Sequence, residues 1–170
     1  MVKYIKEEVM VVFSEIPDEI TLAINISNCP HNCKGCHSPY LQQDVGEELT
    51  YEVLEDLINK NEGITCVCFM GEGNDLEELY RLMVYIQNLN KGLKIGLYSG
   101  SNDVSILFWN TINYIKLGPY IEEKGPLNKE TTNQRLYRYD SRVFADDVST
   151  KKDVEHPGWR DITYKFWKKI

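Results

Sequence analysis

The chain has 170 residues, 42% hydrophobic and 26% charged, the size and balance of one soluble domain able to bury its own core. A net charge of −7 and a pI near 5.0 oppose non-specific binding to a phosphate backbone, so nucleic acid is not an expected partner. No apolar run approaches the roughly 20 residues that cross a bilayer, and the charged N-terminus does not make a secretory signal, so a cytoplasmic protein with no membrane contact is expected.

Residues 9–13 form a short apolar β-prone run, and residues 21–26 alternate, with Leu22, Ile24 and Ile26 on one face; both predict strands. The second ends at Ser27 and Asn28, and directly after it come Cys29, Cys33 and Cys36 at the spacing C-x-x-x-C-x-x-C. A loop that leaves the C-terminal end of a strand stands where open α/β sheets and barrels place their sites. Thr50 is placed to cap a helix running to about residue 61, with Leu49, Val53, Leu54, Leu57 and Ile58 as its apolar stripe. The nearly continuous apolar run 64–70 predicts a strand covered on both faces, and it leads into the polar loop Gly71, Glu72, Gly73, Asn74, Asp75.

Over 75–90, Leu76, Leu79, Leu82, Met83, Ile86 and Leu89 recur at helical spacing, with Gly92 just beyond. A strand over 93–98 ending at Ser99 and Gly100, a short helix over 104–109 and a strand over 114–117 ending at Gly118 complete a β-α-β-α-β-α-β pattern. Such alternation predicts a parallel sheet with right-handed crossovers. The stretch 128–134 is polar without a period, and 151–158 is charged and loop-like. Residues 1–170 read as a single domain, with 141–170 a C-terminal extension to which little structure is assigned.

Three thiolates from one short loop hold three corners of a cluster or three positions around one ion, and leave one coordination site without a cysteine. Five cysteines, an odd number with three crowded into one loop, suit a reduced compartment and a ligand role better than a disulfide framework. A structural zinc site with His37 or a remote residue as fourth ligand is the alternative. Zinc sites more often use two separated C-x-x-C pairs, and Cys36 and His37 are adjacent, which strains their sharing one ion. His31 and His37 therefore read as loop residues. Cys66 and Cys68 alternate inside an apolar run and are expected in the core as small hydrophobes.

The thiol spacing at residues 29–36 resembles that of the radical S-adenosylmethionine (SAM) superfamily. More narrowly, residues 9–139 resemble the activating proteins of anaerobic (class III) ribonucleoside-triphosphate reductases. The matching pieces are Cys-Pro-His-Asn-Cys-Lys-Gly-Cys-His at 29–37, Phe-Met-Gly-Glu-Gly at 69–73, Leu-Tyr-Ser-Gly at 97–100, Gly-Pro-Tyr-Ile at 118–121 and Thr-Asn-Gln-Arg at 132–135. The resemblance implies an α/β fold of the partial, open (β/α)6-barrel type and a [4Fe-4S] cluster on Cys29, Cys33 and Cys36. It also implies SAM as cosubstrate, chelating the fourth iron through its amino and carboxylate groups. The activity implied is reductive cleavage of SAM to a 5′-deoxyadenosyl radical, which takes hydrogen from a glycine of the large reductase subunit. An electron donor such as flavodoxin is the second partner implied.

Gly71 and Glu72 stand where the superfamily shows Gly-Gly-Glu, with Met70 replacing the first glycine and Gly73 where proline is usual; both are expected at the SAM amino group. Ser99 and Asn102 are expected near its carboxylate or ribose, with ordinary turn formation as the alternative. Lys116 reads more readily as a snorkelling surface lysine than as a SAM contact. Residues 132–135 read as a polar surface loop, and Trp159, Tyr164, Phe166 and Trp167 as core or lid packing. A chain with sequence for five or six β/α units is too short for a closed eight-fold barrel, and an open side admits a loop of a large protein partner. An activase of another glycyl-radical enzyme, a small peptide-modifying radical SAM enzyme and a zinc-binding interaction module are the other classes left open.

Overall fold

The computed structural model describes residues 1–140 and 156–167. In chain order the strands are β1 Lys3–Tyr4, β2 Met10–Val12, β3 Thr21–Asn25, β4 Glu47–Glu48, β5 Cys66–Met70, β6 Lys94–Tyr98, β7 Tyr114–Leu117, β8 Arg135–Tyr139 and β9 Trp159–Asp161. The α-helices are α1 Tyr51–Lys60, α2 Leu76–Asn88 and α3 Ile106–Trp109. Seven strands make one sheet in the order β2-β3-β5-β6-β7-β8-β9, while β1 and β4 pair separately. The pairs β3-β5, β5-β6 and β6-β7 are parallel; β2, β8 and β9 join antiparallel at the two edges. The expected β-α-β-α-β-α-β run is thus present from β3 to β7, with four parallel strands.

Alternation sets the two faces. Leu22, Ile24, Val67, Phe69, Ile95, Leu97, Ile115 and Leu117 form one buried cluster with Leu54 and Ile58 of α1, Leu79, Leu82, Met83 and Ile86 of α2, and Phe108 and Trp109 of α3. All three helices therefore cover the same face, whereas a doubly wound sheet carries helices on both. Truncating a fully buried member such as Phe69 or Leu82 to alanine costs about 2–5 kcal/mol. On the opposite face Cys66, Cys68, Tyr114 and Leu136 meet Ile16 and Ile162. Both strand cysteines are in the core as expected, and burial pushes the Cys66 thiol up to about 12 and the Cys68 thiol well above its ordinary range.

Local signals account for the helix ends. The Thr50 side chain accepts from the Val53 N–H at the start of α1, and Asp75 accepts from Glu78 at the start of α2. After α2 the chain turns at Asn90, with φ +53°, two positions before the expected Gly92, which is itself left-handed at φ +67°.

At the N-terminal end of the parallel strands, Glu19 is buried and closes the sheet. Its carboxylate accepts from Lys94, from the Thr65 hydroxyl at 2.5 Å and from the Tyr114 hydroxyl at 2.7 Å. Burial alone would raise the Glu19 carboxyl, but Lys94, Thr65 and Tyr114 together hold it below its ordinary value.

The strongest departure from expectation lies after Pro126. Arg135–Tyr139 is a strand, and Thr132 and Gln134 are buried, so 132–135 is not a surface loop. Thr132 accepts from the Gln134 N–H, and the Asn133 side chain donates to the Pro119 carbonyl at 3.0 Å, tying this segment to the turn after β7. Trp159 packs edge-on against Trp109, with ring centroids 4.9 Å apart, and Phe166 rests on the second cluster, as packing residues should; Tyr164 is exposed. Most of the 151–158 stretch lies outside the described residues. Among those described, no helix is long and apolar enough to cross a membrane.

Candidate metal centre

The four parallel strands all end on one side, and a cavity of about 320 Å³ opens there. Each strand contributes: Cys29 after β3, Gly71 after β5, Tyr98 and Ser99 at the end of β6, and Lys116 and Gly118 at the end of β7. Cys33 and Cys36 complete the set of three loop thiols on its wall. All five cysteines are free, and these three are partly exposed.

The loop is fastened at its base. Asn28 adopts φ +59°, a conformation asparagine tolerates, and its N–H donates to the Gln43 carbonyl at 3.2 Å. The Cys29 N–H donates to Leu41 at 2.9 Å, and the Ser27 hydroxyl donates to Val45 at 2.6 Å. Between the last two cysteines a turn is closed by the Cys36 N–H on the Cys33 carbonyl at 3.2 Å. The Ser38 N–H points at Cys36 Sγ at 3.4 Å, a bond that strengthens when the sulfur is a thiolate. On the outer side, His37 meets Tyr120 with ring centroids 5.5 Å apart, and Lys34 faces Glu122 at 3.7 Å.

Glu72 is 5% exposed, and its carboxylate is held by His31, Ser99 and Ser101. It is not part of the cavity wall; its neighbour Gly71 is. Gly71 has φ +115°, and a Cβ there would come 3.1 Å from the Ile26 carbonyl oxygen, so glycine is required. The Gly71 N–H donates to Tyr98, which leaves its carbonyl as the group available to a ligand's donor. Ser99 lines the cavity, while Asn102 is exposed and stands outside it.

Lys116 corrects the expectation of a surface lysine: it is 9% exposed and lines the cavity. Its ammonium donates only to the Ser99 and Gly118 carbonyls, at 3.4 and 3.3 Å, and no carboxylate among the described residues pairs with it. Desolvation pulls its pKa down to about 8, against the opposing pull of the Cys33 and Cys29 thiols and Glu72. Burial likewise raises the Cys29 thiol above its ordinary value. Gln134 shares the Gly118 carbonyl with Lys116 and also faces the cavity, as does Glu15. The half-buried Glu15, the buried Lys116 and the polar segment leading into β8 are not part of a local motif; the available signals are the Lys116 position inside an apolar strand and the β-prone alternation of 135–139.

The donor set can be tested against a metal. One tetrahedral ion needs thiolates about 2.3 Å from a common point, and among the described residues no three His, Cys, Asp or Glu side chains close in that way. A four-iron cluster instead takes each thiolate on a different iron, so three thiols spread around a cavity suit it better. Three thiolates also supply three ligands where such a cluster has four irons, and Lys116 beside them offsets their negative charge.

No curated protein and no solved structure matches the chain. The family model described as a 4Fe-4S single cluster domain matches residues 20–137, well over half of the chain and a span that holds all three loop cysteines, and the chain belongs to that family.

Proposed function

We propose that the protein is a radical SAM activating enzyme that installs a glycyl radical on an anaerobic ribonucleoside-triphosphate reductase. The observation that carries this is the convergence of Cys29, Cys33, Cys36, Gly71, Ser99 and Lys116 on one cavity at the C-terminal end of the parallel strands. Its volume falls in the range that holds small cosubstrates. A [4Fe-4S] cluster held by the three thiolates and reduced by an electron donor would supply the electron that cleaves the S–C5′ bond of SAM, giving methionine and a 5′-deoxyadenosyl radical able to take hydrogen from a glycine Cα.

The residues of the chain bind, orient and exclude water. The three cysteines would hold a four-iron cluster and leave one iron without a protein thiolate, open to SAM. The Gly71 carbonyl would accept from the amino group, and Lys116, which has no carboxylate partner among the described residues, would favour the SAM carboxylate. Lys116 is buried where it meets the cavity, and the exclusion of water around it strengthens such contacts. Sequential strand order and helices on a single face support an open, partial β/α barrel. Its free edge is β2, beside the strand that feeds the cysteine loop, where Met10 is 54% and Phe13 71% exposed; a protein partner would cover that apolar surface.

The test is anaerobic reconstitution with iron and sulfide, reduction, and assay for 5′-deoxyadenosine, followed by mixing with the large reductase subunit. A glycyl-radical EPR doublet on the partner is expected. Release of 5′-deoxyadenosine with no doublet would move the assignment to another glycyl-radical or peptide substrate, and a protein that holds zinc and never cleaves SAM would end it.

A further inference from the structure

We propose that His31 and Glu72 form a clasp, seated on Gly100, that holds the cysteine loop in its ligating conformation. On this view Glu72 is a positioning residue for the cluster loop rather than a contact to SAM. His31 lies between Cys29 and Cys33, and its Nε2 meets Oε1 of Glu72, 41 positions further along the chain. The same Oε1 accepts from the Ser101 hydroxyl at 3.0 Å, and Oε2 accepts from the Ser99 hydroxyl. Ser99 Oγ in turn accepts from the Ser101 N–H at 3.0 Å, so the donors that hold the carboxylate are themselves held. Both oxygens are engaged by the chain's own donors, and the carboxylate is off the cavity wall.

Sterics point the same way. A Cβ on Gly100 would lie 2.6 Å from Cδ2 and 2.9 Å from Cγ of His31, so the imidazole rests directly on bare backbone. Gly100 has no left-handed φ; what its missing side chain provides is room for the ring. The Cys29 end of the loop is fixed by the backbone bond to Leu41 and the Cys36 end by the turn back to Cys33. His31 adds a third anchor from inside the loop, tying it to the turns after β5 and β6. A loop ordered before metal arrives loses less freedom on binding, which holds the bound group more tightly. The clasp depends on the three thiolates as the metal site and on nothing about SAM.

The experiment reconstitutes wild-type protein, His31→Ala, Glu72→Ala, Glu72→Gln, Gly100→Ala and the His31→Ala/Glu72→Ala double variant with iron and sulfide under anaerobic conditions. It then follows the rate at which a ferrous chelator strips the iron, without SAM present. Stripping about tenfold faster is expected for His31→Ala and Glu72→Ala, the scale on which supporting contacts tune metal sites. The double variant should be no worse than either single one, because both remove the same contact, while Glu72→Gln, which retains an acceptor, should recover much of the loss. Gly100→Ala should resemble His31→Ala. Wild-type stripping rates in His31→Ala, or multiplied losses in the double variant, would overturn the clasp. Since the His31 side chain is a quarter exposed, its variant remains a test if Glu72→Ala fails to fold. A wild-type protein that takes up no iron and sulfide would overturn the cluster and the clasp together, whereas one that holds the cluster without cleaving SAM would leave the stripping comparison intact.

Discussion

The two ends of the parallel sheet use the same device for different purposes. At the N-terminal end the buried Glu19 carboxylate gathers Lys94, Thr65 and Tyr114 from the starts of the neighbouring strands and seals the sheet. At the C-terminal end the buried Glu72 carboxylate gathers His31, Ser99 and Ser101, and beside it a cavity stays open, where Lys116 has no carboxylate partner among the described residues. Among the described residues, charge is matched at the end that only holds the fold and left unmatched at the end proposed to bind a ligand. The division follows the general rule that the C-terminal ends of the strands carry chemistry and the N-terminal ends carry stability.

Variants at the two ends should separate these roles. The largest effect is expected for Cys36→Ala, which should abolish cluster uptake, read as bound iron and visible absorbance. Its unfolding free energy should move by no more than about 0.5 kcal/mol, because the thiol sits on a partly exposed loop. Uptake at wild-type level would break the ligand assignment. At the opposite end, Glu19→Ala leaves the buried Tyr114 hydroxyl without its acceptor and should lower stability by about 1–3 kcal/mol in urea unfolding of the apo protein. Iron uptake by that variant should remain normal; parallel loss of both would mean that the two ends are not independent.

Lys116→Met sharpens the contrast. It should weaken SAM binding to the reconstituted protein roughly tenfold, about 1.4 kcal/mol, while stability in urea stays level or rises, since a buried charge with no carboxylate partner among the described residues is removed. Unchanged SAM affinity would remove Lys116 from the site. The smallest effect is on acid unfolding. Glu19 has a folded pKa below its ordinary 4.5, so its contribution is fully present above that value and fades as pH falls through 4.5 towards the folded value. Glu19→Gln should flatten that part of the stability curve, and an unaltered acid limb would show that Glu19 is not what the fold loses there.

Much of this was legible locally. Period-2 alternation placed Leu22 and Ile24 under the helices and Cys66 and Cys68 on the other face, and Thr50 and Asp75 marked helix starts, because each signal lies within a few residues of what it governs. The loop cysteines declared themselves by spacing. What stayed hidden depends on distant parts of the chain. Lys116 alternates with Ile115 and Leu117 like any strand residue, and nothing nearby says that its face borders a cavity. β8 finds its partners in β7 and β9, the latter some twenty positions on, so the short alternation at 135–139 does not by itself say which strands it joins. Glu72 stands out by its place in a strand-end loop, but its partner His31 lies 41 positions earlier, and only the fold brings them together. Asn102, chosen for its place after a strand, is simply exposed.

On the proposed function the three thiolates leave one iron open towards the cavity, and SAM takes that position. EPR of the reduced, reconstituted protein tests it most directly. Addition of SAM should change the g values of the cluster signal in the wild type and change them less at equal SAM in Lys116→Met; a cluster signal that is identical with and without saturating SAM would contradict the account.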